Sequence, residues 1–263
     1  MTTSSIHVEQ APSVQYVLRL ADTALIHGQR LSEWCGHAPV LEEDIALANI
    51  ALDLIGQARA LLTHAGQLEG QGHDEDQLAF LREERDYRNA TIVELPNGPA
   101  RPGDFAFTVL RNAMMASWFR LMWERLRDST DPELAAIAGK AVKEARYHQQ
   151  HSSDWVVRLG DGTDESARRL RAALDTLWRY SAELFDSDAV DAAAAANGLG
   201  PRWDSLREPW LAEMRELFDE ARLAPPADSV FRSTGKTGVH TEHMGYILAD
   251  MQYLQRAYPG GAW

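Results

Sequence analysis

Three polar side chains interrupt helical stripes of apolar residues. Gln57, Asn112 and His148 each lie at spacings of three, four or seven from large apolar neighbours. Residues at those spacings share one face of a helix, so all three side chains are expected to be buried. Buried amides and imidazoles need hydrogen-bond partners. We therefore predict that these residues bond to one another or to Glu33, near the end of the first helical segment.

Inward polar side chains on consecutive helices are also the pattern of di-iron carboxylate proteins, in which every helix of a four-helix bundle supplies ligands. Two of those helices carry Glu-x-x-His. Here the corresponding tetrapeptides are Leu54–Gln57 and Ala145–His148, and Glu33 is the only clear anion of the inward set. Neutral amides are poor substitutes for bridging carboxylates, so we expect no di-iron site in this chain.

A different site stays open as an alternative. Glu33, Glu144, His148 and His151 could surround a single metal ion, or His148 could act as an acid and base in a metal-free pocket. Glu144 and His151 lie roughly 80–100° around the helix from the face that carries His148. They could converge with His148 only if the helix were distorted.

The C-terminal third contains two short motifs. His240-Thr241-Glu242-His243 could bind a metal ion, although an exposed turn that caps a helix is the simpler interpretation. Gly235-Lys236-Thr237 resembles the end of a phosphate-binding loop, but Val230 replaces the required first glycine and no strand precedes it. Arg232 and Lys236 still place cations before a helix, where an anion or an acidic partner could bind.

The elements that carry these residues all have a period near 3.6, so an all-α fold is predicted. The pattern indicates helices over about 14–34, 41–68, 104–127 and 131–159. The long connection between the second and third is typical of a ferritin-like four-helix bundle. Additional helices are expected over about 165–185, 192–196, 205–222 and 241–258. We expect one ferritin-like domain over 1–263, with the core bundle over about 14–160 and peripheral helices over about 164–258 packed outside it.

Composition narrows the function further. The 263 residues include 26 Lys+Arg and 39 Asp+Glu, and the net charge of −13 disfavours nucleic-acid binding. A single cysteine, Cys35, cannot form a disulfide framework or a thiolate metal site. The first residues lack the features of an export signal, and no stretch approaches the ~18 apolar residues of a membrane span. We expect a cytoplasmic protein without a membrane partner.

Four segments carry a resemblance to a known family. They are Arg30–Pro39, Ala48–Arg59, Lys143–His148 and a C-terminal run from Gly238 through Arg256. Together they resemble the ferritin-like subunits of bacterial 1,2-phenylacetyl-CoA epoxidases, and the C subunits in particular, over nearly the whole chain. The resemblance implies that a catalytic di-iron partner, the A subunit, activates oxygen and epoxidises the aromatic ring of phenylacetyl-CoA. It also implies that a reductase supplies electrons from NADPH, and that the C subunit is structural.

The same resemblance implies where a metal site has been lost. The positions that correspond to the ligands of the catalytic subunit are Glu33, Leu54, Gln57, Asn112, Ala145 and His148. Only Glu33 and His148 keep a residue type that the catalytic pattern has there. The implied cofactor of this chain is therefore none, with the di-iron centre in the catalytic partner. The reductase and the other subunits of the complex are the remaining implied partners.

Two hypotheses follow for the function. The first is a non-catalytic scaffold subunit that binds a catalytic partner through a helical interface, which the apolar character of the second and third helices on more than one face favours. Burial of those faces under the later helices is the alternative explanation. The second hypothesis is a free-standing metalloenzyme with the mononuclear or metal-free site described above.

Overall fold

The computed structural model describes residues 5–99, 103–227 and 229–261. Within these ranges the regular structure is helical, with only isolated β-bridges, and the predicted all-α fold is confirmed. The α-helices of the described residues are, in chain order, α1 (Pro12–Ser32), α2 (Leu41–Glu69), α3 (Glu75–Phe80), α4 (Phe105–Leu126), α5 (Pro132–Gly160), α6 (Asp164–Leu177), α7 (Ala189–Ala196), α8 (Arg207–Glu220) and α9 (Glu242–Ala257).

Local sequence signals set the ends of the long helices. The carboxylate of Asp104 accepts hydrogen bonds from the first turn of α4, and Asp131 caps α5 with Pro132 at its first position. Gly70 ends α2 in the left-handed conformation, with φ of 70°. The four long helices therefore begin and end within a few residues of the predicted limits.

The bundle consists of two closely packed helix pairs, α1 with α2 and α4 with α5. Helix α2 also packs on α5, and side chains of α1 reach α4. The later helices lie outside the bundle: α6 and α8 cover α4 and α5, α7 packs on α1, and α9 packs on α3.

One predicted helix is shorter than expected. The pattern predicts a helix over about 165–185, but α6 ends at Leu177 and a 3₁₀ segment, Trp178–Phe185, continues the chain. No glycine or proline marks the change. The reason is tertiary packing, since the ring of Trp178 stacks on Trp210 of α8 at 5.7 Å between centroids. Burial of that ring outweighs the weak local preference for an α-helix.

Helix α1 is buried on every side. Its Asp22 forms a fully buried ion pair with Arg82 and also accepts a hydrogen bond from the backbone N–H of Arg88. On another side, Arg19 pairs with Asp188 and Asp191 of the α7 segment. Because these charges are paired, charged residues can lie on more than one side of a buried helix.

Candidate functional site

The centre of the bundle holds a small chain of polar side chains from three helices. Nε2 of His27 on α1 lies 3.0 Å from Oδ1 of Asn112 on α4. The amide nitrogen of Asn112 donates to the hydroxyl of Ser152 on α5. All three residues are buried. The centre of the bundle therefore holds an imidazole, an amide and a hydroxyl in contact with one another.

His27 was not among the residues predicted from the sequence. Burial, followed by the positive charge of Arg111, lowers its pKa from 6.5 to about 3. The imidazole is therefore neutral near pH 7, and its Nδ1 has no hydrogen-bond partner. A signal existed in the sequence, because Tyr16, Thr23 and His27 recur at spacings of seven and four on one face of α1.

A second set of polar contacts joins α2 to α5, and we call it the α2–α5 seam. It consists of Gln57 with Glu144 at 2.9 Å, Asp53 with His148 at 3.0 Å, and Glu43 with His151 at 2.9 Å. Burial lowers the pKa of His148, although Asp53 opposes that shift. Each pair bridges two helices, so the seam fixes the register of α2 against α5.

The predicted burial of the three polar residues is confirmed. Gln57, Asn112 and His148 are all buried. The expectation that they bond to one another or to Glu33 is wrong, because each bonds to a different residue on another helix. Asn112 belongs to the central chain, whereas Gln57 and His148 belong to the α2–α5 seam.

Glu33 was expected to point into the bundle, and it does not. It follows α1 as its C-cap residue, its side chain is 43 % exposed, and it accepts hydrogen bonds from Arg30 and Asn97. It lies six positions after His27, which is about 9 Å along a helix axis. The inward residue of α1 is therefore His27. The two apolar positions of the implied ligand set, Leu54 and Ala145, are buried as expected.

The donors at the bundle centre do not fit a di-iron centre. Such a centre needs several carboxylates to balance the charge of its ions, and the central chain offers only neutral groups. Across the described ranges, no three His, Cys, Asp or Glu side chains are grouped to hold a metal ion. The alternative mononuclear site also fails geometrically. Glu144 and His151 bind Gln57 and Glu43 respectively, and Glu33 lies at the end of α1.

The motif His240–His243 also has a structural explanation. Nδ1 of His240 lies 2.8 Å from the carboxylate of Glu94, and its Nε2 lies 3.2 Å from the carbonyl oxygen of Tyr87. Burial opposes charging of His240, but Glu94 outweighs it and raises the pKa. Thr241 caps α9 as predicted, but the side chain of His240 is buried rather than exposed. No metal site forms there.

The two predicted contacts for an anion or a partner, Arg232 and Lys236, lie in different environments, since Arg232 is exposed and Lys236 is not. Lys236 is buried, with Nζ 4.2 Å from the centre of the Trp203 ring. The guanidinium of Arg232 instead donates to carbonyl oxygens of its own loop. The backbone N–H of Lys236 donates to the carboxylate of Glu183, which also accepts from the hydroxyl of Ser233. The loop therefore binds an anion that the chain itself provides.

The outer side of α2 exposes a row of large apolar side chains in the described part of the chain. Leu41, Ile45 and Leu52 are 72 %, 54 % and 65 % exposed, and exposed Gly56 continues the row. We call these four residues the α2 face. A Cβ atom at Gly56 would contact nothing within 4 Å, so nothing in this chain requires a glycine there. A glycine inside a helix costs about 1 kcal/mol relative to alanine.

By length and composition alone, α2 could also cross a membrane, although buried helices of water-soluble bundles meet the same criterion. The prediction that no stretch approaches a membrane span is therefore wrong for α2, which contains an 18-residue window apolar enough to meet this criterion. Only 44 % of that window is buried.

Comparison with known proteins places the chain in a family. The family model described as phenylacetic acid catabolic protein matches residues 1–263. A relative from Escherichia coli (strain K12), the C subunit of 1,2-phenylacetyl-CoA epoxidase, is 50 % identical over 248 residues, which cover 94 % of this chain and 98 % of the relative. The predicted resemblance to that subunit is confirmed. The chain belongs to the phenylacetic acid catabolic protein family.

Proposed function

We propose that this chain is a structural, non-catalytic subunit of a multicomponent di-iron monooxygenase that epoxidises the ring of phenylacetyl-CoA. Its role is to bind the catalytic di-iron subunit through a helical interface. The proposal rests on the identity shared with the C subunit of a phenylacetyl-CoA epoxidase. It also rests on the neutral polar groups at the bundle centre, which do not fit a di-iron centre.

The α2 face carries the proposal. A helix as apolar as α2 is expected to be covered, yet the bundle covers only its inner side. Fully burying an apolar side chain contributes about 1.5–3 kcal/mol of favourable free energy. The apolar side chains of the α2 face are more than half exposed, so much of this free energy would be gained only when a partner covers them. Gly56 adds a place where a partner helix can approach the backbone closely, as small residues permit.

A protein surface fits the α2 face better than a lipid bilayer does. Asn49 and Arg59 are exposed on the same side of the helix, and the carboxylate of Asp53 is 39 % exposed. Charged groups are costly in hydrocarbon, whereas a protein partner can pair with them. The partner is therefore a helical subunit with polar groups placed opposite these residues.

The test is a reconstitution of NADPH-dependent oxygenation of phenylacetyl-CoA from purified catalytic subunit, the other subunits including the reductase, and this chain. The chain alone with the reductase should form no product, and the full mixture should lose turnover when the chain is omitted. Full turnover without the chain would overturn the scaffold role. Product formed by this chain and the reductase alone would instead favour the free-standing enzyme.

Metal analysis of the purified chain provides an independent check. We expect less than stoichiometric iron, manganese or zinc even after growth with added metal, because the bundle centre offers too few anionic donors. About two iron atoms per chain would contradict the proposal.

A further inference from the structure

A cavity of about 130 Å³ lies between the 3₁₀ segment that follows α6, the start of α8 and the loop around residue 230. Each of these three elements contributes one arginine to its lining, and we call the cavity formed by Arg179, Arg207 and Arg232 the arginine pocket. Among the described lining residues, Asp186 is the one carboxylate. The lining of the pocket therefore has an excess of two positive charges, in a chain whose net charge is −13.

Two of these guanidinium groups are held in place by neighbours that carry no charge. Nη1 of Arg232 donates to the carbonyl oxygens of Ser229 and Phe231, and its Nε lies 4.0 Å from Asp186, which is too far for a hydrogen bond. The guanidinium carbon of Arg179 lies 4.2 Å from the centre of the Phe231 ring. In the described part of the chain, Arg179 has no hydrogen-bond or ion-pair partner. Both arginines therefore keep N–H donors for a ligand.

The wall behind the arginines is apolar. The rings of Trp178, Phe185 and Trp210 line the pocket, and all three residues are buried. Charges beside a wall that excludes water attract an anion more strongly than charges in open solvent do. Arg207 also contacts exposed Glu208, at 3.1 Å, so the attraction depends chiefly on the other two arginines.

The size of the pocket narrows the class of anion. A water molecule occupies about 30 Å³ in the liquid, so the cavity has room for roughly four waters, which is about the size of one phosphate group. Guanidinium groups bind phosphate oxygens in pairs, and arginines that approach from three elements suit a tetrahedral anion better than a planar carboxylate. The excess charge of the lining also matches the −1.5 to −2 charge of a phosphate monoester near pH 7.

A second cavity, of about 290 Å³, adjoins the arginine pocket and shares three lining residues with it: Trp178, Arg207 and Leu211. Most of the remaining lining of the second cavity is apolar, and consists of Met214, Phe218, Pro225 and Pro226 beside Arg215. A ligand whose phosphate lies among the arginines can therefore extend an apolar group into this second cavity.

We propose that the arginine pocket binds the phosphate group of an organic phosphate, whose apolar or aromatic part lies in the adjoining cavity. This site goes beyond the proposed function, which assigns no ligand to this chain. It shares no residue with the α2 face or with the central polar chain.

The test is isothermal titration calorimetry of the full chain in phosphate-free buffer, with phenyl phosphate and inorganic phosphate as the two probes. Phenyl phosphate should bind about tenfold or more tightly than inorganic phosphate, because its ring removes apolar surface from water in the second cavity. Arg179→Gln and Arg232→Gln should each weaken the binding of both probes about tenfold.

Two further variants separate this site from a general attraction of anions. Arg171→Gln is the matched control, because Arg171 is exposed on α6 and lines neither cavity, and it should leave both affinities unchanged. Leu211→Ala should reduce the advantage of phenyl phosphate and leave the affinity for inorganic phosphate nearly unchanged. Circular dichroism establishes that each variant is folded.

Four results would overturn the proposal. Neither probe could bind at millimolar concentration. Arg171→Gln could weaken binding as much as Arg232→Gln, which would show a non-specific attraction. Inorganic phosphate could bind as tightly as phenyl phosphate, which would exclude the second cavity. Benzoate could bind as tightly as phenyl phosphate, which would assign the arginines to a carboxylate, such as an acidic side chain of a protein partner. Because no catalytic subunit is present, the outcome is independent of the proposed function.

Discussion

Helices α2 and α4 look alike in sequence, and the structure treats them differently. Both carry apolar residues on more than one face. In α4, 17 of 22 residues are buried, because α6 and α8 cover the side that faces away from the bundle. In α2, 13 of 29 residues are buried, and the side away from the bundle is the α2 face.

The difference separates two explanations that the sequence left open. Helix α4 is apolar on a second face because later helices of the same chain pack on that face. The described part of the chain places no such helix over the α2 face. An apolar pattern therefore predicts that a helix face is covered, but not whether its own chain covers it.

Truncating a large side chain on each helix tests this contrast with the largest expected effect. Trp118 of α4 is fully buried, with its ring against Trp203 and its Nε1 donating to the carbonyl oxygen of Leu184. Trp118→Ala should lower the free energy of unfolding by about 3–5 kcal/mol. Leu52→Ala on α2 should change it by no more than about 0.5 kcal/mol. Urea unfolding measures both, and similar losses would contradict the contrast.

The central polar chain predicts the next largest effect. Asn112→Leu removes the shared partner of His27 and Ser152, and both of their polar groups then remain buried without a bond. We expect a loss of about 2–4 kcal/mol in the free energy of unfolding. The matched control is Asn49→Leu on the exposed side of α2, which should change stability little. A small loss at Asn112 would mean that water replaces the missing amide.

The pH dependence of stability tests the environment of His27. Its folded pKa of about 3 lies below the ordinary value of 6.5, so the unfolded chain takes up the proton first as the pH falls. This contribution to stability is complete above pH 6.5 and is lost progressively below it. Between pH 7 and pH 5 the loss is about 2 kcal/mol. His27→Gln should remove that part of the slope in urea unfolding, and an unchanged slope would contradict the assignment.

The smallest effect is expected in the α2–α5 seam. His148→Leu removes one hydrogen bond, but its partner Asp53 is partly exposed and can be solvated. The expected loss is about 1 kcal/mol, below that of Asn112→Leu. A loss of unfolding free energy as large as that of Asn112→Leu would contradict this ranking, because it would show that water does not solvate Asp53 when His148 is removed.

Most of the fold could be predicted, because its signals are local. Asp131 followed by Pro132 marks the start of α5 in the sequence, and the glycines after residue 69 mark the end of α2. The change to a 3₁₀ segment at Trp178 could not be predicted, since it depends on stacking against Trp210 of a helix that comes later in the chain.

The site was predictable only in part, for a related reason. A lone polar residue in an apolar stripe signals burial, so Gln57, Asn112 and His148 were correctly expected inside. Their partners were not, because Asp53 and Glu144 lie at the edges of helix faces, where packing alone decides which residue they meet. His27 was missed because α1 is buried on all sides and carries polar residues on several of them, so this one polar residue did not stand out.

The central claim is that the α2 face binds the catalytic subunit, and its most direct test is the affinity of charge variants for that subunit. Leu52→Glu places a carboxylate in the middle of the α2 face, and it should weaken binding roughly 100-fold while leaving the unfolding midpoint unchanged. Val230→Glu is the matched control, because Val230 is 99 % exposed and far from α2 in sequence. Binding of Leu52→Glu as tight as that of Val230→Glu would contradict the account.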